Sequence, residues 1–122
     1  MKLFILGATG PTGLQIVRQA LAQGHQVTAF VRDPARLPYT DKNLGVATGS
    51  LPGEALVRAS SLDWTIAYPT LLTNGPRTGN YRAAERLELK GMPRISRADV
   101  ADFVLRQLDD RAFLKKGAVI SN

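Results

Sequence analysis

Apolar residues fall along the chain in short blocks separated by glycine, proline and charge, and two periods alternate among them. Lys2-Leu3-Phe4-Ile5-Leu6, ended by Gly7, is a compact apolar run of the kind that makes a strand buried on both faces of a parallel sheet. From Gly10 to Gln23, Leu14, Val17 and Leu21 recur at helical spacing with Ile16 and Ala20 beside them, and Gly24 supplies the stop. Gln26 to Val31 is again rich in β-formers and closes on Arg32-Asp33-Pro34. Strand, helix and strand within about 30 residues make a βαβ unit.

The pattern weakens after this. A polar loop over 33–43 leads to a third strand, Leu44-Gly45-Val46-Ala47-Thr48. Gly53 to Ser60 carries Ala55, Leu56 and Ala59 at helical spacing, and Leu62 to Tyr68 reads as a fourth strand ended by Pro69. Thr70 to Asn80 is predicted as a long loop, and Tyr81 to Ile95 as either irregular extended chain or short strand. Ser96-Arg97-Ala98-Asp99 is a helix-start signature, followed by Val100, Phe103, Val104 and Leu108 on one face. A short strand is expected at Ala118-Val119-Ile120. The alternation implies an α/β fold, a three-layer αβα sandwich around a mainly parallel sheet.

With 122 residues, 44% hydrophobic and 21% charged, the composition is that of one globular domain spanning 1–122. The absence of cysteine excludes disulfides, thiolate metal sites and cysteine nucleophiles, and a single histidine, His25, argues against zinc; no metal site is expected. No apolar run approaches the ~18 residues of a membrane span, and the N-terminal run is too short for a signal peptide, so a cytoplasmic protein without membrane contact is expected. Sixteen Lys and Arg against ten Asp and Glu leave a net charge of +6, which attracts phosphate-bearing partners. Arg77, Arg82, Arg86, Lys90, Arg94 and Arg97 form either an anion-binding surface or a solvated polar face. Interleaved Glu85 and Glu88, and the lack of an aromatic pattern for base stacking, speak against nucleic acid.

The chemistry lies between the first strand and the first helix. In Gly7-Ala8-Thr9-Gly10-Pro11-Thr12-Gly13, Gly7 permits a tight turn, Gly10 lets backbone approach a pyrophosphate, and Gly13 allows close packing of helix on strand. Backbone N–H groups at the helix start then face the phosphates. The spacing is G-x-x-G-x-x-G, in the strand–turn–helix context that dinucleotide binding demands. Arg32 holds the end of the second strand, with Arg36 one turn further. An arginine there accommodates the 2′-phosphate of NADP, where a carboxylate would bind the ribose hydroxyls of NAD. NADP(H) is therefore the expected cofactor.

These residues carry a family resemblance. Lys2 to Gly13, Gly24 to Pro34, Ser61 to Ile66, Leu72 to Pro76 and Ile95 to Ala101 resemble the atypical short-chain dehydrogenase/reductases. The nearest branch is the NAD(P)H-binding, NmrA-like group with biliverdin-IXβ reductase and flavin reductase. The resemblance implies a Rossmann-type fold, shortened: a full doubly wound sheet needs on the order of 200 residues, and here the third strand runs through Gly49-Ser50 directly into the later helix and strand. The inferred strand order is 3-2-1-4, with Trp64–Tyr68 beside the first strand. The family's Gly-Asp near the adenine is replaced by Gly49-Ser50, which leaves Ser50 and Leu51 on the adenine side. Pro69, Thr70 and Leu71 follow the strand that in relatives passes the nicotinamide.

The resemblance leaves catalytic residues undetermined. No tyrosine is followed by a lysine four positions on: Tyr39 meets Asn43, Tyr68 meets Leu72 and Tyr81 meets Glu85. Leu71, at a position that matches a histidine in biliverdin-IXβ reductase, cannot transfer a proton. Tyr68 and Trp64 suit packing, and His25 the surface. Three functions remain open: an NADPH-dependent reductase of a flavin, quinone or related small acceptor, a non-catalytic NADP(H)-binding module or redox sensor like the NmrA-like regulators, or a minimal fold that binds no cofactor. A shortened sheet with an unprotected edge also predicts a homodimer.

Overall fold

The computed structural model describes residues 1–6, 8–48 and 54–122, and the side chains of all of these except residues 4, 6, 30 and 54–56. They fall into two compact units, Met1–Leu51 and Pro52–Asn122.

In the first unit, β1 (Lys2–Leu6), β2 (Gln26–Val31) and β3 (Leu44–Thr48) form a parallel sheet in the order β1-β2-β3, with Lys2 opposite Gln26 and Val27 opposite Leu44. This is the 3-2-1 part of the expected order. Helix α1 (Pro11–Ala22) packs on β1 and β2 and buries Gly13, Val17 and Ala20, while the strands contribute Ile5, Val27, Ala29 and Val31. Alternation along β2 places Val27, Ala29 and Val31 on one face, and each buried valine side chain there contributes roughly 1.5–3 kcal/mol. Gly24 adopts φ +82°, a left-handed turn that closes the helix and would strain any other residue. Between β2 and β3 the chain makes a single 3-10 turn, Pro34–Arg36. β3 remains open to solvent, with Val46 48% exposed.

The second unit begins with α2 (Glu54–Ala59). β4 (Thr65–Pro69) pairs in parallel with β8 (Lys116–Ser121), and β6 (Arg82–Ala84) runs antiparallel on the other side of β8. β5 (Leu71–Thr73) and β7 (Arg94–Ser96) make a separate parallel ribbon. Helix α3 (Arg97–Arg106) packs on β7 and β4. Ile95, Val100, Phe103, Ala118 and Ile120 form the core, with Phe103 edge-on to Tyr81 at 6.3 Å between ring centroids. Gly117 is required here, because a Cβ would lie 2.5 Å from the Tyr68 ring.

Several expectations shift. The fourth strand starts at Thr65, since Ser60–Leu62 form a bend and Leu62 is 67% exposed. The predicted loop over 70–80 opens with strand β5, and the ambiguous stretch 81–95 resolves into β6 and the start of β7. The last strand is six residues long because its main chain pairs on both edges. Trp64 is half-buried, ahead of β4 and with Arg58 over its ring.

Candidate functional site

Helix α1 starts without a side-chain cap. Gly10 is the N-cap in extended backbone (φ −68°, ψ 159°), it has no side chain to offer, and Pro11 takes the first helical position. The first helical hydrogen bond runs from Leu14 N–H to Gly10 C=O at 2.9 Å. The amides of Thr12 and Gly13 lie ahead of it, among the donors that a helix leaves unpaired. No acidic residue occupies the first turn. The donors and the helix dipole therefore face a space that no carboxylate of the turn fills, which fits a pyrophosphate. Gly13 is buried in the packing of α1, and Thr9, Gly10 and Thr12 are half-buried around an exposed Pro11. Gly7, Ser50 and Leu51 lie outside the described residues.

At the end of β2 the two candidate polar groups part ways. The carboxylate of Asp33 accepts the Ala35 amide at 3.0 Å and caps the Pro34–Arg36 turn. Arg32 and Arg36 are exposed, and neither has an ion-pair partner among the described residues. One oxygen of Asp33, Oδ1, is thus engaged by its own turn. An open depression of about 300 Å³ lined by Lys2, Gln26, Lys42 and Asn43 lies at the opposite, N-terminal end of the strands, whereas parallel sheets bind ligands at their carboxyl ends.

In the second unit, Pro69 ends β4 and Leu71 opens β5 with 64% of its surface exposed. Thr70 between them is tied to β8: its amide donates to Ile120 C=O at 3.1 Å and its hydroxyl to the Ser121 hydroxyl at 3.0 Å. The Tyr68 ring packs over Gly117, and its hydroxyl accepts from Arg58 at 2.5 Å.

Sequence reading missed two buried carboxylates of α3. Asp99 accepts the Thr78 amide at 2.8 Å, the Thr78 hydroxyl at 2.7 Å and the Gly79 amide at 3.0 Å. Burial by itself would raise its pKa, but the hydrogen bonds from Thr78, Gly79 and Ser96 outweigh it and hold the carboxyl below the usual range. Asp102 receives Arg77, Arg106 and the Tyr81 hydroxyl, the last at 2.7 Å. Burial first, and then that hydrogen bond, keep the Tyr81 hydroxyl protonated well above the usual phenol range. Tyr81 is thus a hydrogen-bond donor to Asp102. No local signal announces Asp102, which lies about 200° round the helix from Val100 and off the apolar stripe of α3. Of the basic surface read from sequence, Arg77, Arg82 and Arg97 are engaged within the chain: Arg82 donates to Asn122 C=O and Arg97 to the Asn74 side chain.

The family model described as NAD(P)H-binding matches residues 7–53 and 50–111. The chain belongs to this NAD(P)H-binding family. Its two matched stretches meet at residues 50–53, in keeping with a central shortening at that junction. The chain is 39% identical over 61 residues to the 3-diazoavenalumate denitrifying reductase of a Streptomyces species, covering 50% of this chain and 19% of that protein. It spans 19–28% of the length of the curated relatives it matches. A Rossmann-fold NAD(P)-binding family protein from Shigella flexneri superposes with a TM-score of 0.79 at 20% identity, over 98% of this chain and 92% of that one. A short-chain dehydrogenase/reductase (wide type) from Veillonella parvula, solved with NADP, gives 0.77 at 16% identity, over 99% and 94%. This member of the NAD(P)H-binding family has a Rossmann-type α/β fold. Among the described residues no helix is long and apolar enough to cross a membrane, and no group of His, Cys, Asp and Glu could hold a metal ion.

Proposed function

We propose that the chain binds NADP(H) and serves hydride transfer from NADPH to a flavin, quinone or related small acceptor. The observation that carries the cofactor choice is the end of β2, where Asp33 Oδ1 caps its own turn and Arg32 is exposed with no ion-pair partner among the described residues. A guanidinium presents a planar fork to phosphate, and Arg36 adds a second positive charge nearby. The uncapped start of α1 supplies backbone donors to the pyrophosphate, and Gly10, which has no side chain, keeps that approach clear.

When bound, the reduced nicotinamide supplies the hydride, and the acceptor takes its remaining proton from water. The chain's own part is to bind and to orient. The tyrosines fit this division: Tyr81 is locked to Asp102 and Tyr68 is packed on Gly117. Titration of the protein with NADPH and NADH, followed by dihydronicotinamide fluorescence, tests the reading. NADPH is expected to bind more tightly, and Arg32→Ala to weaken NADPH about tenfold while leaving NADH unchanged. Equal losses for both cofactors, or no binding, would overturn it. Binding without NADPH oxidation in the presence of flavins or quinones would favour the redox-sensor reading instead.

A further inference from the structure

The first unit has a second concave surface, at the end of its sheet opposite the start of α1. Strand register fixes which residues share it. Lys2 pairs with Gln26 and Thr28 with Gly45, while Asn43, just ahead of β3, accepts the Val27 amide at 2.8 Å and so aligns with Gln26. Val27 and Ala29 are buried on one face of β2, and alternation turns Gln26 and Thr28, with their partners Lys2 and Gly45, to the other. These residues, together with Lys42 and Asn43, line the open depression of about 300 Å³. A Cβ at Gly45 would lie 3.7 Å from the Thr28 hydroxyl, so the glycine leaves that hydroxyl open.

The polar groups gathered here are not used by the fold. The side chains of Lys2, Gln26, Thr28, Lys42 and Asn43 have no hydrogen-bond or ion-pair partner among the described residues. Lys90 and Lys116, by contrast, pair with Glu88 and Glu85. Among the described residues no carboxylate lines the depression, and Asp41, beside it in sequence, uses Oδ1 to accept the Asn43 amide at 2.8 Å. Parallel sheets gather anions at the carboxyl ends of their strands because helix N-termini lie there. At this end the side chains themselves supply the positive charge. Two ammonium groups match a dianion, and lysine serves phosphate as a point charge. Carboxamides and a hydroxyl both donate and accept, which suits the hydroxyl groups of a ligand.

We propose that this depression binds a small phosphate monoester that also carries hydroxyl groups, at a site separate from that of the cofactor. Glycerol phosphate is the probe, with glycerol and sodium chloride of equal ionic strength as controls. In amide NMR spectra of the whole chain, saturable shifts of the Thr28 and Gly45 resonances are expected with glycerol phosphate and with neither control. Lys2→Gln and Lys42→Gln should each weaken binding about tenfold. Arg18→Gln, at an exposed arginine of α1, removes the same charge and should leave binding unchanged. Both lysine variants should keep the wild-type affinity for NADPH in the fluorescence titration.

Shifts that sodium chloride or glycerol reproduces would overturn the proposal, as would shifts that do not saturate. An equal loss in Arg18→Gln would reduce the effect to net charge, and weaker NADPH binding in the lysine variants would make the two sites one; either result also overturns it. Failure of wild type to bind NADPH, with the glycerol phosphate response intact, would overturn the cofactor reading and leave this site standing.

Discussion

Two loops of this chain have nearly the same turn chemistry and are held in opposite ways. Gly10-Pro11-Thr12-Gly13 opens α1, and Gly75-Pro76-Arg77-Thr78-Gly79 leads towards β6. In the second, the amides of Thr78 and Gly79 converge on the carboxylate of Asp99, an anion supplied by the chain itself. In the first, the donors of the helix start meet no side-chain cap and no acid of their own turn. A backbone that gathers N–H groups recruits negative charge in either place. What differs is whether the charge comes from the fold or from a ligand, and this marks one loop as structural and the other as a binding loop.

The comparison breaks most readily at Asp102, where the second loop is anchored through side chains. Asp102→Asn removes the charge that receives Arg77 and Arg106 and turns an amide donor towards donors. Both guanidiniums keep about half of their surface in water, which moderates the loss. A destabilisation of about 3 kcal/mol is expected in urea unfolding. A value within error of zero would mean that packing alone holds the 74–81 segment.

The first loop should fail in function rather than in fastening. Gly13→Val introduces a branched side chain at a buried position in the first turn of α1, at the glycine that the motif reserves for close helix–strand packing. Loss of NADPH affinity of about thirtyfold or more is expected, equivalent to ~2 kcal/mol. Unchanged affinity in a folded variant would remove the helix start from the site.

How far each loop could be read from sequence follows the same division. The glycine loop is legible because its signal is local: a strand, spaced glycines and a helix lie within about 20 residues. The strands β1, β2 and β3 were legible from local apolar runs, the third more weakly, while their 3-2-1 order followed from the resemblance and the handedness of βαβ units. The second loop is organised by contacts between residues 77–81 and α3, 20 or more positions away, and no local pattern announces them. The Ser96-x-x-Asp99 signature marks a helix start, and Ser96 does accept the Asp99 amide at 3.0 Å. The side chain of Asp99 has a second task that the motif does not encode. Strand β5 was hidden likewise, because three residues that pair with a segment more than twenty positions downstream look like loop.

The smallest effect concerns pH and separates a built-in anion from an external one. Asp99→Asn should cost about 1.5 kcal/mol near neutral pH, since hydrogen bonds to a charged acceptor become bonds to a neutral one. The carboxyl of Asp99 is held below its ordinary value near 3.8, so its contribution is present above that value and is lost as pH falls through the lower folded value. The stability gap between wild type and Asp99→Asn should therefore stay constant from neutral pH to about pH 4 and narrow below it. Urea midpoints measured across that range check the sign. A gap that closes well above pH 4, or persists undiminished in strong acid, would show that the Thr78 and Gly79 amides are not organised by the Asp99 charge. The two loops would then no longer differ in the way their contacts indicate.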